Sequence, residues 1–194
     1  MWRSIGERMV FGSGGRSPKR RKSRSSFPLE IGSIYWRAAS PAWERKTTYN
    51  NYEIVVVDND SQSKGSTREY FNRSRHRVLH FSGPFNFSAI NNFAVEQTDA
   101  PWLLFLNNDV EVIENEWLTA MAEHVQRPEV GAVGARLLFR DETIQHAGIV
   151  LGVHADWRSM LSCGFPAEHP GVCRQLQMTR NYSAVTAACF LTRR

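Results

Sequence analysis

The sequence predicts an α/β fold with a mostly parallel sheet, and two observations support this prediction. Strand-like segments start about every 24 residues from Tyr52 onward, with helix-like segments between them. The first of these segments, residues 54–57, is an unbroken β-branched run, which is typical of a strand buried on both faces. Strands that alternate with helices form right-handed βαβ units, so we expect a parallel sheet flanked by helices.

The strands are predicted from short runs of β-branched and other apolar residues. In chain order they are residues 54–57, 77–81, 103–106, 130–139, 143–151 and 183–192. A loop that contains Gly, Pro and His, residues 162–175, separates the last two strands.

Three helices are predicted from the residues that begin them. Ser66 and Glu69 form a capping box, in which a hydroxyl and a carboxylate each satisfy a free backbone amide. Ser88 begins the second helix, and Asn115 is the predicted cap of the third. The residues expected to face the core are Ile90, Phe93 and Ala94 in the second helix and Trp117, Ala120, Met121 and Val125 in the third.

The charge of the chain divides it into two parts. The net charge is +5, yet residues 1–46 hold 11 Lys and Arg against 3 Asp and Glu, so the remainder is mildly acidic. Residues 12–26 combine Gly, Ser and basic side chains with almost nothing apolar, a composition typical of disorder. We therefore expect residues 1–46 to be a basic, atypical and disordered leader and residues 47–194 to be the folded domain.

Composition argues against several classes of protein. No apolar run approaches the roughly 20 residues that span a bilayer, and no signal peptide is visible. We expect a cytoplasmic protein, with peripheral contact at the inner face of the membrane left open. Cys163, Cys173 and Cys189 are odd in number and form no CxxC pair, which argues against a disulfide framework and a zinc site.

Two acidic residues follow predicted strands, at the edge where open parallel sheets bind ligands. Asp58 follows residues 54–57, and Asp109 follows residues 103–106. Either residue alone is more simply a polar group that ends a strand and bonds to its own loop. Two such residues at one edge favour a ligand site.

The sequence around Asp109 suggests a divalent cation. Asn107 and Asn108 precede it, and oxygen ligands suit a hard ion such as Mg²⁺ or Mn²⁺. One carboxylate suffices if phosphates and water complete the coordination shell, and the ion then neutralises a diphosphate leaving group. Asp58 has no basic neighbour in the sequence and is better suited to accept hydrogen bonds from a base or a ribose. Neither a GxxxxGK[ST] loop nor a GxGxxG fingerprint is present.

Five segments together resemble a known family. In order they are VVVDNDS at residues 55–61, FNFSAINNFAVEQT at 85–98, WLLFLNNDVEVI at 102–113, VGAVGARLLFRDETIQHAGIVLG at 130–152 and TRNYSAVTAACFLTRR at 179–194. In this order they resemble family 2 glycosyltransferases, and above all the bacterial rhamnosyltransferase-like enzymes of polysaccharide and O-antigen assembly. The resemblance covers about residues 47–194.

The resemblance implies a GT-A fold and an inverting, metal-dependent transfer of a sugar. The donor would be a nucleotide-sugar, and the acceptor a glycan or a lipid-linked molecule. The implied nucleotide-binding residues are Asp58, Asn59, Asn107 and Asp109. Asp58 falls on the acid that contacts the nucleobase, and residues 107–109 fall on the D-x-D motif, with Asn in place of its first acid. Asp109 is then the ligand of Mg²⁺ or Mn²⁺.

Other polar residues are weaker candidates. His146, in the segment QHAG, is more simply a hydrogen-bonded structural group than a catalytic one. His154, Asp156 and His169 lie in or beside a polar loop and are candidates to face an acceptor. Residues 86–92 resemble the loop and helix that border the donor site.

Both ends of the chain depart from the pattern of the family. Members begin with a SIIIPTRD-like central strand and a helix, whereas residues 29–36 are the single weak strand candidate here. Members also continue into a GGFDE-like segment and an acidic helix that carries the general base, which we expect beyond Arg194. No catalytic residue is identifiable, and an incomplete domain is expected. Adding the missing C-terminal segment from a relative to this chain should therefore raise its transferase turnover.

Three alternatives to an active transferase remain open. The chain is a non-catalytic fragment that lacks the general base, or it is a nucleotidyltransferase-like nucleotide-binding protein. In the third alternative, residues 16–24 bind nucleic acid with an affinity that falls steeply with salt. A solvated leader with no specific nucleic-acid partner is the simpler interpretation of those residues.

Overall fold

The computed structural model of the protein describes most of the chain after residue 44 and two short strands before it. The described residues are 7–10, 29–33, 45–60, 76–107, 109–152, 158–159 and 162–194. The strands are β1 (Glu7–Val10), β2 (Leu29–Ser33), β3 (Tyr52–Asp58), β4 (Arg77–His80), β5 (Trp102–Leu106), β6 (Val110–Val112), β7 (Ala132–Gly134), β8 (Arg136–Leu138), β9 (Ile144–His146), β10 (Val150–Leu151), β11 (Arg158–Ser159) and β12 (Cys189–Arg193). The helices are α1 (Phe87–Glu96), α2 (Trp117–Val125) and a 3-10 turn, Val172–Arg174.

The largest sheet has six strands in the order β4-β3-β2-β5-β12-β7. Its first four strands are parallel, and β12 runs antiparallel to both of its neighbours. The predicted α/β class with a mostly parallel sheet is thereby confirmed. The alternation of helices and strands does not predict that β12 runs antiparallel to its neighbours.

Two segments of the predicted leader are strands, which corrects the expectation of disorder at those positions. Strand β2 lies in the centre of the sheet and pairs in parallel with β3 on one side and β5 on the other. Strand β1 pairs in parallel with β6 and antiparallel with β8. Strand β2 lies within residues 29–36, the weak strand candidate of the sequence, whereas nothing in the sequence predicts β1, because partners distant in the chain supply its hydrogen bonds. The central position of the sheet is therefore occupied by β2.

Two predicted strands are each divided in the structure. The segment 130–139 forms β7, in the six-stranded sheet, and β8, in a second sheet of order β6-β1-β8-β9. The residue between them, Ala135, donates its backbone N–H to the carbonyl of Cys189 at 3.2 Å. The segment 143–151 likewise forms β9 and β10, and β10 pairs with β11. Apolar periodicity alone does not show where a chain passes from one sheet to another.

The two helices begin at positions other than those predicted. Helix α1 is capped by Asn86, whose Oδ1 accepts from the backbone N–H of Ala89 at 3.0 Å. Asn115 does not cap α2, because Glu116 takes the cap position, without a side-chain cap hydrogen bond. The Asn115 carbonyl accepts from the N–H and the hydroxyl of Thr48 instead. The helix predicted at Ser66 lies outside the described residues. No helix in the described part of the chain is long and apolar enough to cross a membrane.

The core explains the unbroken apolar run of β3, because packing covers both faces of this strand. Ile54 and Val56 join the cluster built around α2, in which the indole N–H of the fully buried Trp117 donates to Thr47 Oγ1 at 2.9 Å. Val57 points to the other face and packs against α1. Burial of each such side chain stabilises the fold by roughly 1.5–3 kcal/mol. Helix α2 buries Trp117, Leu118, Met121, Ala122 and Val125, so Leu118 and Ala122 replace the predicted Ala120.

Candidate functional site

The predicted site residues lie at the carboxyl edge of the parallel strands. Asp58 ends β3, Asn107 follows β5 directly, and β2 lies between the two strands. Ser33, the last residue of β2, is paired with Val56 on one side and Leu106 on the other, so the three strands end at nearly the same level. At the usual strand spacing, the ends of β3 and β5 are about 10 Å apart. The structure thus brings Asp58, Asn107 and Asp109 to one edge of the sheet.

Asp58 has a basic neighbour, which corrects the expectation drawn from the sequence. His80, the last residue of β4, is paired with Asp58 in the parallel register, and its Nδ1 lies 3.3 Å from Oδ2 of Asp58. The Asp58 side chain is 12% exposed, whereas that of His80 is 72% exposed. Strand register brings the two together, and the linear sequence does not contain that register. Asp58 is therefore held in place beside an accessible imidazole.

Asn59 and Asp60 fasten the loop that follows β4. The amide nitrogen of Asn59 donates to the carbonyls of Phe81 and Gly83 at 3.1 and 2.9 Å. The Asp60 carboxylate accepts from the hydroxyl of Ser82 at 3.3 Å and from the N–H of Gly83 at 3.0 Å. Asp60 adopts a left-handed backbone with φ of 47°, which Asp tolerates better than most residues. The sequence predicts a ligand contact for Asn59 and nothing for Asp60, yet both position this loop.

The turn from Asn107 to Asp109 joins β5 to β6. The Asn107 N–H donates to the carbonyl of Ala188 at 2.9 Å, and the Asn107 carbonyl accepts from Val110 at 3.4 Å. Asp109 is half-buried, and its Oδ1 is fully buried without a hydrogen-bond partner among the described residues. Asn108 lies outside the described residues.

The buried Oδ1 of Asp109, which has no partner in the described part of the chain, fits a cation ligand. A buried carboxylate oxygen without a hydrogen bond costs free energy unless a positive charge compensates it. A hard divalent cation binds such an oxygen well. Within the described ranges, no three side chains of His, Cys, Asp or Glu form a cluster able to hold a metal.

The start of α1 lies beside the same edge. Phe85 and Phe87 are 59% and 40% exposed, on either side of the capping residue Asn86. Asn91, one turn into the helix, is buried, and its amide nitrogen donates to the carbonyl of Phe87 at 2.8 Å. Two exposed aromatic rings, Phe85 and Phe87, thus flank the capped start of α1.

The candidate histidines differ in their surroundings. His146 is 3% exposed, and burial lowers its pKa to about 4. Its Nε2 accepts from the backbone N–H of Thr186 at 3.2 Å, which is the structural type of bond expected for it. His169 is exposed, and its Nδ1 accepts from the N–H of Gly171 in its own loop at 3.0 Å. His154 and Asp156 lie outside the described residues.

The family model of glycosyl transferase family 2 matches residues 41–162. The chain therefore belongs to glycosyl transferase family 2, and the predicted family is confirmed. The α/β sheet with its parallel strands β4-β3-β2-β5 agrees with the GT-A fold that the sequence predicts.

Two relatives match over the same length of chain. The chain is 44% identical over 156 residues to "Uncharacterized protein y4gI" of Sinorhizobium fredii (strain NBRC 101917 / NGR234), which is 77% of this chain and 17% of that protein. It is 41% identical over 156 residues to O-antigen biosynthesis protein RfbC of Myxococcus xanthus, with 77% of this chain and 12% of that protein covered. The chain thus spans less than a fifth of the length of either relative.

The solved structures that match the chain include a mannosyltransferase. Mannosyltransferase PcManGT from Pyrobaculum calidifontis, in complex with GDP-Man and Mn²⁺, has a TM-score of 0.44 and 16% sequence identity to this chain. The match covers 60% of this chain and 39% of that one.

Proposed function

We propose that this chain supplies the donor-binding part of a metal-dependent, inverting glycosyltransferase of polysaccharide assembly. The observation that carries the proposal is the buried Oδ1 of Asp109, which has no hydrogen-bond partner among the described residues and lies at the sheet edge that also holds Asp58. Membership of glycosyl transferase family 2 supports the reaction type. The relative named for O-antigen biosynthesis supports a glycan or lipid-linked acceptor.

Each candidate residue has a role in this proposal. Asp109, with Asn107 as a weaker helper, would hold Mg²⁺ or Mn²⁺. When bound, that ion offsets the negative charge of the diphosphate leaving group. Asp58 accepts hydrogen bonds from the base or the ribose, and His80 fixes the position of its carboxylate. Asn59 holds the loop after β4 against the end of β3.

The acceptor hydroxyl would attack the anomeric carbon on the face opposite the diphosphate, which inverts its configuration. A carboxylate must take the proton of that hydroxyl, and we assign that role to no residue of 47–194. We propose the cytoplasm as the place of reaction, where nucleotide-sugars are the donors, with a lipid-linked acceptor reached at the membrane surface.

Binding of a nucleoside diphosphate with Mn²⁺ tests the proposal. We expect Mn²⁺ together with GDP, UDP or dTDP to raise the melting temperature of the protein, and Asp109→Asn to abolish the rise. Asp99→Asn is the matched control, because Asp99 is an exposed carboxylate before β5, at the opposite edge of the sheet. A wild-type protein that shows no shift with any of the three nucleotides at millimolar concentration would refute the proposal.

A further inference from the structure

The buried His146 is linked to the turn that carries Asp109 by a series of hydrogen bonds. The series begins at Nε2 of His146, which accepts from the backbone N–H of Thr186 at 3.2 Å. Because Nε2 accepts, the proton of the neutral ring resides on Nδ1. Nδ1 is itself buried, without a partner in the described part of the chain.

The next two bonds carry the series to the site. The hydroxyl oxygen of Thr186 accepts from the N–H of Ala188 at 3.3 Å. The carbonyl of Ala188 then accepts from the N–H of Asn107 at 2.9 Å. Asn107 is two residues before Asp109, so the backbone of residues 186–188 sets the position of the turn that joins β5 to β6.

The segment before Thr186 is held by the residues that follow His146. Ile149 and Ala184 exchange backbone hydrogen bonds at 2.9 and 3.2 Å. Gly148, with φ of +112°, lies so close to Tyr182 that an added Cβ would approach its ring to 2.3 Å. Residues 182–186 are therefore packed and hydrogen-bonded against the segment 145–149, which runs from β9 to β10.

We propose that His146 is a positioning residue that fixes residues 186–188 and, through them, holds the turn at Asp109 in the form that binds the cation. The effect on cation binding rests on the proposed function, in which Asp109 binds the cation. The effect on the position of the turn does not depend on it. Only an unprotonated Nε2 can accept the Thr186 N–H, so the neutral ring is the active form. His146 touches neither donor nor cation in this role.

Two variants break the series at different links. His146→Leu removes the acceptor at similar volume, and Thr186→Val removes the hydroxyl oxygen while keeping the shape of the side chain. In both variants we expect faster hydrogen exchange at the Asn107 amide, measured by NMR without ligand. We also expect the affinity for Mn²⁺ with GDP, UDP or dTDP to fall at least tenfold. His146→Gln, whose amide oxygen still accepts, should recover most of both losses.

Ile144→Ala is the matched control. Ile144 lies on β9 with His146 and is fully buried in a separate cluster with Leu138 and Leu176, so its truncation loosens the same strand without touching the series. Its Asn107 exchange and Mn²⁺ affinity should stay near those of the wild type. Should Asn107 exchange be unchanged in His146→Leu and Thr186→Val, or be raised equally in Ile144→Ala, the inference is wrong.

The two proposals fail in different ways in this experiment. A wild-type protein that binds no Mn²⁺ with any nucleotide refutes the proposed function, whatever the variants do. Exchange at Asn107 still decides whether His146 holds the turn, since that measurement needs no ligand. A wild type that binds, with Thr186→Val binding equally well, refutes the positioning role alone.

Discussion

Asp58 and Asp109 occupy the same sheet edge in different surroundings. Asp58 ends a strand and lies against His80, whereas Asp109 lies in a turn with one buried oxygen left without a described partner. The sequence predicts that both residues matter, because each carboxylate follows an apolar strand. The sequence cannot predict the contact with His80, because that contact depends on strand register. Nor can it predict the hydrogen bonds from Asn59 and Asp60 to the loop after β4, because they depend on the shape of that loop.

The roles of Asp58 and Asp109 should be distinguished by comparing a nucleotide ligand with inorganic pyrophosphate. Asp58→Asn should weaken binding of a nucleoside diphosphate with Mn²⁺ about tenfold or more, because a charge-assisted hydrogen bond contributes about 1.5–3 kcal/mol. Binding of inorganic pyrophosphate with Mn²⁺ should be unchanged in that variant, since pyrophosphate has no base or ribose. Asp109→Asn should weaken the binding of both ligands. Calorimetric titration of the wild type and both variants measures the six affinities, and a loss of pyrophosphate binding in Asp58→Asn equal to its loss of nucleotide binding would contradict the assigned roles.

His146 should make stability depend on pH. Histidine in an unfolded chain has a pKa near 6.5, and burial lowers the pKa of His146 to about 4. The unfolded chain therefore binds the extra proton between these values, so the free energy of unfolding falls as pH drops through that window and levels off below it. The wild type should lose about 3 kcal/mol more than His146→Gln between pH 7 and pH 4. Urea unfolding at several pH values measures the difference, and parallel curves would disprove it.

At the scale of elements, the predictions succeed where a strand stays within one sheet and fail where the chain changes sheets. Residues 54–57 and 103–106 lie in β3 and β5, and all of residues 54–57 are buried. The segment 130–139 is one apolar run in the sequence but contributes β7 and β8 to different sheets. Local pattern reports burial, whereas the choice of partner strand depends on the whole fold.

The turn at Gly148 provides a test of element packing. Gly148→Ala should lower the free energy of unfolding by about 2 kcal/mol or more, because the residue has φ of +112° and its new Cβ would meet the Tyr182 ring. Gly131→Ala is the control, since no atom lies within 4 Å of a Cβ built there and its φ is not in the left-handed region. Urea denaturation compares the two. A Gly148→Ala protein as stable as Gly131→Ala would show that Tyr182 moves aside freely.

At the scale of the whole molecule, the central strand comes from a region whose composition predicts a leader. Strand β2 pairs with both β3 and β5 and so sets the register between the two strands that carry the candidate site. The composition of residues 1–46 describes their average character, and it does not show that a short segment among them pairs with a strand on each side. The boundary between leader and domain therefore stays a prediction for the remaining residues of that region.

Ile31→Pro tests the importance of β2. Ile31 is paired with Ile54 and Leu104, and proline removes a backbone donor from a strand that pairs on both sides. We expect loss of cooperative thermal unfolding, whereas Ile31→Val, which keeps the donor, should unfold much as the wild type does. Calorimetry distinguishes the two. A cooperative transition in Ile31→Pro would show that β3 and β5 are held together without β2.

The bond between Asn107 and Ala188 also has a consequence for biosynthesis. The turn at Asp109 leaves the ribosome long before Ala188 does, and β12 then has to insert beside β5 as the neighbour that completes its pairing. Contacts so distant in the chain form late. A nascent polypeptide arrested before Ala188 emerges should therefore hold no manganese, however well its earlier strands have assembled.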